Sequence, residues 1–270
     1  MVKYRFGVIG AGNMGLAIAR GAVNTGRCLP SEILLMNRNP EKRDARAAEG
    51  FAVTCDPAAP YTKCKQVVLG IKPQMFDAVL PLLAAEKPET KPLVISIAAG
   101  VSFQKMESIL GSDCPIIRVM PNTPLLLGLG ASALVKNAAA TEEQLERVRA
   151  LFGAMGTTVV FDDEKMLNEV IPYNGSAPAY VYAFIEGMAR SAQAHGIARE
   201  QALELISRTC IGAAEMVLQI GKTPAALIDE VCSPGGTTIE AVKVLEAAGL
   251  NAILAEACDR CIARAYELGK

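Results

Sequence analysis

The first part of the chain repeats one pattern: a short apolar run, a turn, and a longer stretch with apolar positions at helical spacing. The runs are rich in Val, Ile and Leu without polar alternation, which is typical of strands buried on both faces of a sheet. We predict strands over 6–9, 32–36, 51–54, 66–70, 92–97, 116–120, 131–135 and 157–161. Helices predicted over 16–23, 40–49, 102–110 and 142–152, with another starting at Pro73, indicate a doubly wound parallel sheet.

From Asp163 onward the strand pattern stops and long helical stretches follow. We therefore predict an α/β protein with two domains, a doubly wound sheet over residues 1–162 and an all-helical domain over 163–270. In the helix predicted over 198–220, the charged residues other than Arg199 share one stripe and the rest of the circumference is apolar. Such a helix is buried nearly all round. We expect a second copy of the chain to cover it, giving a homodimer or a higher homo-oligomer.

Composition excludes several classes of protein. With 270 residues, 51% of them hydrophobic, the chain can bury a sizeable core, and general disorder is excluded. The net charge of −1 gives no indication of nucleic-acid binding. No apolar run is long enough for a membrane span, and the glycine-interrupted N-terminus is not a signal peptide. Eight scattered cysteines, with Cys258 and Cys261 too isolated for a zinc or redox pair, favour a reducing cytoplasmic location.

A glycine-rich turn joins the first predicted strand to the first predicted helix. The spacing is Gly10-x-Gly12-x-x-Gly15. Gly10 permits the tight turn, Gly12 leaves the backbone open to a pyrophosphate, and Gly15 lets the helix pack closely on the strand. Amide groups at the helix start then face the phosphates. In this strand–turn–helix context the motif predicts a dinucleotide site that includes Gly10, Ala11, Gly12, Asn13 and Met14.

The end of the second predicted strand indicates which dinucleotide is bound. An acidic residue that would hold the ribose of NAD is expected there. The sequence instead reads Met36-Asn37-Arg38-Asn39. Arg38 can bind a 2′-phosphate through several donors, with Asn37 adding hydrogen bonds, so NADPH is favoured over NADH. The alternative is that Arg38 is an ordinary surface arginine.

Other strand ends supply small or rigid residues that can line the same crevice, because ligands of doubly wound sheets bind at the carboxyl ends of the strands. The segment 70–73 follows the fourth strand, 96–100 the fifth, and 120–124 the sixth. We predict that they contribute Ile71, Lys72, Pro73, Ala98, Ala99 and Asn122 to the cofactor site. For the proline-rich loop around Asn122, an ordinary stiff turn is an equally good interpretation.

A second glycine-rich segment lies in the helical part, at Cys232-Ser-Pro-Gly-Gly-Thr-Thr-Ile-Glu240. One interpretation is a link between two helices with a helix cap. The other is an anion pocket, in which glycine amides and hydroxyl groups meet a ligand at a helix N-terminus. Two adjacent glycines followed by two threonines exceed what a cap requires. The candidate binding residues are Ser233, Gly235, Gly236, Thr237 and Thr238.

Taken together, six segments resemble the pyrroline-5-carboxylate reductase family: Gly10-Ala-Gly-Asn-Met-Gly15, Lys72-Pro73, Ser96-Ile-Ala-Ala-Gly-Val101, Met120-Pro-Asn-Thr-Pro124, Gly175-Ser-Ala-Pro-Ala-Tyr180 and Cys232-Ser-Pro-Gly-Gly-Thr-Thr-Ile-Glu-Ala-Val242. The resemblance runs in register through essentially the whole chain. It implies a Rossmann-type NAD(P)-binding domain, a helical dimerisation domain, and NAD(P)H-dependent reduction of 1-pyrroline-5-carboxylate to L-proline, the last step of proline biosynthesis.

The resemblance also implies roles for residues. Thr238 would meet the ring nitrogen of the substrate, the segment 236–238 would receive its carboxylate, and Glu164 would lie toward the substrate. This chain departs from the family pattern at two positions: Asn174 stands where a serine is usual, and Glu230 where Asn or Gln is expected. Either change could alter affinity.

Two other functions are alternatives to the one that the resemblance implies. A β-hydroxyacid dehydrogenase would need a lysine base on the first helix of the second domain, and residues 179–194 contain no lysine. A non-catalytic NADP-sensing protein would bind the cofactor but would have no use for a second anion pocket, and the intact 235–238 segment argues against it.

Overall fold

The computed structural model describes residues 3–268, and this part of the chain forms one mixed sheet followed by helices. Apolar β-branched runs form most of the strands. Their bounds are β1 Tyr4–Ile9, β2 Ile33–Met36, β3 Ala52–Thr54, β4 Cys64–Leu69, β5 Leu93–Ser96, β6 Ile116–Met120, β7 Gly130–Lys136 and β8 Gly156–Val160. All eight strands predicted from the sequence are present, with ends shifted by a residue or two.

The order of strands in the sheet is β3-β2-β1-β4-β5-β6-β7-β8. The chain reverses its direction of travel between β1 and β4, which pair in parallel with Ile9 opposite Leu69. This is the topological switch point, where doubly wound sheets bind ligands. The loops after β1 and β4 therefore begin side by side.

One pair of strands departs from the predicted parallel sheet, because β7 runs antiparallel to β6. Only residues 121–129 connect them, and part of this connection is a 3₁₀ helix over Thr123–Leu127. A parallel return needs a crossover of about a dozen residues or more, usually a helix on one face. The short connection therefore allows only the antiparallel arrangement, and β8 then pairs with β7 in parallel after a helical crossover.

Helices cover both faces of the sheet. Their bounds are α1 Asn13–Asn24, α2 Pro40–Ala48, α3 Ala59–Lys63, α4 Phe76–Ala85, α5 Phe103–Leu110, α6 Glu142–Gly153 and α7 Met166–Glu169. Alternate strand residues feed two separate cores: Val8 packs with α1 and α6, whereas Val67 and Leu69 pack with α4 and α5. A strand buried on both faces needs apolar residues at every position, which explains the unbroken apolar runs.

The remaining helices are α8 Ala177–Ala194, α9 Arg199–Gln219, α10 Pro224–Val231, α11 Thr237–Ala247 and α12 Leu250–Leu268. Packing divides the chain into a first unit, made of the residues up to Ser176 and those from Cys261 onward, and a second unit over Ala177–Arg260. The sequence placed the boundary at 162/163. The first unit extends past it because Leu167, Ile171 and, on α12, Ala265 are buried in its core.

Helices of the second unit keep much of their apolar surface uncovered within the chain. On α9 only Ala202 is buried. The exposed apolar side chains of this helix are Leu205, Ile211, Met216, Val217 and Leu218. Burial all round the helix, as predicted from its sequence, is therefore not achieved by residues of the same chain.

Candidate active site

The glycine-rich turn has the geometry that the sequence predicts. Gly10 follows β1 with φ of +87°, a conformation open to glycine but strained for other residues. A Cβ on Gly10 would lie 2.9 Å from the Gly70 carbonyl oxygen, and one on Gly15 would lie 2.7 Å from the Gly10 oxygen. A Cβ on Gly12 would meet nothing within 4 Å. Gly10 and Gly15 therefore allow close packing, and Gly12 keeps a space in front of the helix open.

The start of α1 is free to bind an anion. Gly12 is its N-cap, no side chain caps the helix, and its first turn carries no acidic residue. The first amide groups of a helix need partners, and a phosphate group satisfies them well. Among the predicted residues, Gly12 and Asn13 are exposed and Met14 is half-buried, whereas Ala11 is buried and donates its amide hydrogen to the Met36 carbonyl.

A cleft of about 480 Å³ lies at the carboxyl ends of β4, β5 and β6, beside the start of α1. Its lining brings together six of the thirteen predicted cofactor residues, namely Met14, Ile71, Lys72, Pro73, Ala98 and Ala99. Small alanines at the end of β5 leave room for a flat ring against the backbone. The cleft thus fits a dinucleotide whose pyrophosphate lies at α1.

Asn37 and Arg38 form the loop after β2, and their side chains differ in role. The side-chain Nδ2 of Asn37 donates to the Ala11 carbonyl oxygen at 3.2 Å, and its Oδ1 accepts from the backbone amide of Asn39 at 3.0 Å. Asn37 therefore links this loop to the phosphate-binding turn. Arg38 is exposed, and its guanidinium has no hydrogen-bond partner within residues 3–268. The geometry leaves Arg38 free to bind a phosphate.

Asn122 was predicted as a cofactor residue, but the structure gives its side chain another task. It is buried, its Oδ1 accepts from the Ala131 amide at 2.9 Å, and its Nδ2 donates to the Asn174 carbonyl at 3.2 Å. Asn122 does not line the cleft, although its neighbours Met120 and Pro121 do. It ties the β6–β7 connection to the segment before α8, so its effect on a cofactor would be indirect.

The family resemblance implies that Glu164 lies toward the substrate, and its contacts within the chain show a structural role. Its Oε1 accepts at 2.6 Å from both the Arg118 guanidinium and the Phe103 amide. Arg118 lies on β6 and is 3% exposed. Burial lowers the pKa of the Arg118 guanidinium from its ordinary value, and the bond to Glu164 opposes that shift. In the described chain Nε and Nη2 of Arg118 have no partner, so Glu164 alone compensates the buried charge.

The second glycine-rich segment connects α10 to α11. Gly235 has φ of +68°, and the Gly236 amide donates to the Ser233 carbonyl at 3.0 Å. A Cβ on Gly236 would lie 2.4 Å from Ser233 Oγ and 3.0 Å from the Ser233 carbonyl oxygen, so a side chain at this position would require Ser233 to move. The segment is thus a tight turn that brings the backbone directly to the start of α11.

The start of α11 shows where Thr238 lies relative to the helix cap. Gly236 is the N-cap, and it offers no side-chain acceptor. Thr237 and Thr238 occupy the first two helical positions, so neither is the cap. Thr238 is half-buried at the edge of an apolar groove that Phe184, Val217 and Val242 also line. The amides at the start of α11 thus have no side-chain cap, and Thr238 lies within its first turn.

The two departures from the family pattern have clear local contacts. Asn174 donates to the Met120 carbonyl oxygen at 2.7 Å and so holds the segment after α7 to the end of β6 within the first unit. Glu230 forms an ion pair with Lys222, so its charge is compensated within α10 and the turn before it.

Sequence reasoning missed two arginines. Arg118 stands in the middle of an apolar strand, and a lone charge there was the available signal of a buried pair. Arg43 looks like one of several charges on a solvated helix, yet its Nη1 donates to the carbonyl oxygens of Asn37 and Arg38. No spacing rule indicates a bond from a helix back to the loop before it.

The sheet order, the glycine turn and the cleft define the first unit as the nucleotide-binding part of an NAD(P)-dependent oxidoreductase. Residues 5–100 match the family described as "NADP oxidoreductase coenzyme F420-dependent", and residues 164–268 match "Pyrroline-5-carboxylate reductase dimerisation". The second match begins beside the boundary predicted at 162/163. The chain belongs to the pyrroline-5-carboxylate reductase family.

Relatives of this family match along the whole chain. The pyrroline-5-carboxylate reductase of Escherichia coli is 38% identical over 270 residues and covers 100% of both chains. A pyrroline-5-carboxylate reductase structure from Coxiella burnetii has a TM-score of 0.89 at 33% identity, covering 99% of each chain. The Plasmodium falciparum pyrroline carboxylate reductase, solved with NADP bound, has a TM-score of 0.91 at 27% identity, covering 100% of each.

These comparisons confirm the family, the two-part fold class, the oxidoreductase class and the NADP-type cofactor predicted from the sequence. They also show that the helical part is the dimerisation region of the family. Across residues 3–268, none of the helices combines the length and hydrophobicity required to cross a bilayer.

Proposed function

We propose that this chain reduces 1-pyrroline-5-carboxylate to L-proline with NADPH, using the residues assigned below. The observation that carries the proposal is the start of α11, where an N-cap without a side chain precedes two threonines. The uncapped amides of this helix start are a binding group for a small carboxylate, and the Thr238 hydroxyl would lie beside that carboxylate. A protein of this family that only sensed NADP would not need it.

In the first unit, the residues present fit an NADP-type cofactor. The turn 10–14 would hold the pyrophosphate at the start of α1, and Arg38 would bind the 2′-phosphate. Ile71, Lys72, Pro73, Ala98 and Ala99 would line the nicotinamide side, which the cleft after β4 and β5 supports. When bound, the reduced nicotinamide supplies a hydride to an electrophilic carbon.

In the second unit, the substrate carboxylate would bind the amides at the start of α11, with Ser233, Gly235, Gly236 and Thr237 shaping the turn. The imine is electrophilic when its nitrogen carries a proton, and an imine that binds already protonated needs no strong general acid. The Thr238 hydroxyl would hydrogen-bond the nitrogen as it becomes an amine. The main contribution of these residues is then orientation of the ring.

The direct test is turnover of 1-pyrroline-5-carboxylate with NADPH, followed by identification of L-proline. We expect NADPH oxidation that depends on the imine. A protein that binds NADP but leaves the imine unchanged would show that the assignment of substrate is wrong.

Thr238→Ala provides the residue-level test. Because Thr238 is not the helix cap, we expect little loss of stability, less than the roughly 0.5–2 kcal/mol that loss of a cap costs. We expect kcat/KM for the imine to fall while NADPH affinity is unchanged. Thr238→Ser keeps the hydroxyl and should be much milder. A lower melting temperature with unchanged kinetics would return this segment to a structural role.

Assembly and location belong to the same proposal. Exposed apolar residues on α9, in the family's dimerisation region, support a homodimer or a higher homo-oligomer formed through the helical part. Eight free cysteines support a reducing compartment, and we propose the cytoplasm. Fractionation of the cells that produce the protein would test the location.

A further inference from the structure

Arg43 reaches back from α2 to the loop that carries Arg38. It lies one turn into the helix, after the N-cap Asn39. Side chains on helices lean toward the N-terminus, which directs Arg43 at the preceding loop. Its Nη1 donates to the Asn37 carbonyl at 3.0 Å and to the Arg38 carbonyl at 2.8 Å. Both hydrogens of one nitrogen are thus used on consecutive carbonyl groups.

These two bonds act on a loop whose other hydrogen bonds to the phosphate-binding turn and to β3 are all made by Asn37. The Asn37 side chain ties the loop to the phosphate-binding turn, and the Asn37 amide donates to Thr54 on β3. The peptide that follows, which carries Arg38, receives its hydrogen bond from Arg43. Arg43 therefore bonds to both peptide groups that flank the Cα atom of Arg38.

We propose that Arg43 is a positioning residue that sets NADP(H) over NAD(H) by holding the peptide of Arg38 in place for the 2′-phosphate. The inference rests on the proposed role of Arg38 in the cofactor site. A guanidinium can meet a phosphate with two parallel hydrogen bonds only in a narrow range of orientations. A loop that keeps Arg38 in one orientation avoids the entropy cost of ordering it when the cofactor binds.

The charges around Arg43 suit this role. Its near neighbours on α2 include Glu41 and Asp44, which are exposed and form no ion pair with it in the described chain. Arg46, one turn further on, is paired with Glu49 and does not touch the loop. Arg46 is therefore a matched control: it is an arginine of the same helix with a side-chain partner of its own.

The test measures binding of NADP⁺ and NAD⁺ to the whole protein by calorimetry, without the imine. For Arg43→Met we expect the Kd for NADP⁺ to rise about three- to tenfold, the scale of losing one or two hydrogen bonds, and the Kd for NAD⁺ to change less than twofold. Arg43→Lys keeps a charged donor and should lie between. Arg46→Met should leave both constants unchanged. Melting temperatures show whether each variant is folded.

A double-mutant cycle with Arg38→Met separates positioning from an independent contact. If Arg43 acts through Arg38, the double variant binds NADP⁺ no more weakly than Arg38→Met alone. Additive losses, or equal losses for NADP⁺ and NAD⁺, would overturn the inference. So would an Arg43→Met variant that binds NADP⁺ like the wild type.

Different results would contradict the proposed function and the positioning role of Arg43. Wild-type protein that does not bind NADP⁺ would contradict the proposed function itself. Tight NADP⁺ binding that ignores the Arg43 substitution would contradict only the positioning role. Arg43→Lys keeps the question answerable if Arg43→Met does not fold.

Discussion

Charged side chains in the first unit have separate roles, set by where each is anchored. The Arg38 guanidinium is exposed with no partner in the described chain, whereas the Arg118 guanidinium is buried and bonded to Glu164. An exposed group is available to a ligand. Removing one partner of a buried ion pair lowers the stability of the protein, because the other charge stays buried without compensation. The two predictions at this scale follow from that difference.

Arg38→Ala should lower kcat/KM for NADPH by about 5- to 150-fold. This factor corresponds to about 1–3 kcal/mol, the scale of hydrogen bonds to a charged group. The constant for NADH should barely change, because NADH has no 2′-phosphate. The wild type should prefer NADPH. Steady-state kinetics with both cofactors check this, and equal losses for the two would contradict the role of Arg38.

Glu164→Ala should lower the free energy of unfolding by about 2–4 kcal/mol, somewhat less than for a fully enclosed pair because Glu164 is partly exposed. The substitution leaves the Arg118 charge without compensation. Denaturant unfolding measures the change, with exposed Glu143 as the matched control, since Glu143→Ala should shift stability by less than about 0.5 kcal/mol. A stable Glu164→Ala protein with a raised KM for the imine would instead support the substrate role.

The limits of prediction from sequence are clearest at single residues. The positions of Gly10, Gly12 and Gly15 were predictable because their spacing encodes a backbone shape. Asn122 and Glu164 were assigned to ligands, yet each binds protein groups more than eight positions away in the chain. Such partners are set by the three-dimensional fold, and a single sequence does not reveal them.

At the scale of elements, the pairing of β7 with β8 depends on two glycines. Gly130 and Gly156 face each other in the register, and Gly156 has φ of +145°. A Cβ on Gly156 would lie 2.0 Å from the Gly130 carbonyl oxygen. The eight strands were predictable from their apolar runs, but this contact and the antiparallel β7 depend on connection length and backbone approach.

Gly156→Ala should therefore destabilise the protein by about 2–4 kcal/mol, because the new methyl group collides with backbone that has no room to move. Gly153→Ala is the matched control three residues earlier, where a Cβ would come no closer than 3.9 Å to Thr158 Oγ1. We expect that control to be neutral or stabilising by up to about 1 kcal/mol. Thermal denaturation of both variants checks the contrast, and similar melting temperatures would count against it.

For the whole molecule, the uncovered apolar face of α9 determines the expected assembly. Leu218 is 78% and Leu205 66% exposed. We expect the wild type to sediment as a dimer or larger at micromolar concentration, and Leu205→Arg to dissociate it because a charge would be buried at the contact. Leu82→Arg on α4, in the first unit, should leave the mass unchanged. An active wild-type monomer would contradict the proposed assembly.

The path of α12 has a consequence for how the protein is made. Ala265 completes the core of the first unit, and Tyr266 donates a hydrogen bond to Glu169 at 2.7 Å. A ribosome produces these residues only after all of Ala177–Arg260. The core of the nucleotide-binding part thus lacks one patch until the helical part has been synthesised. A fragment ending at Ser176 would keep that patch open to water and to chaperones for its whole lifetime.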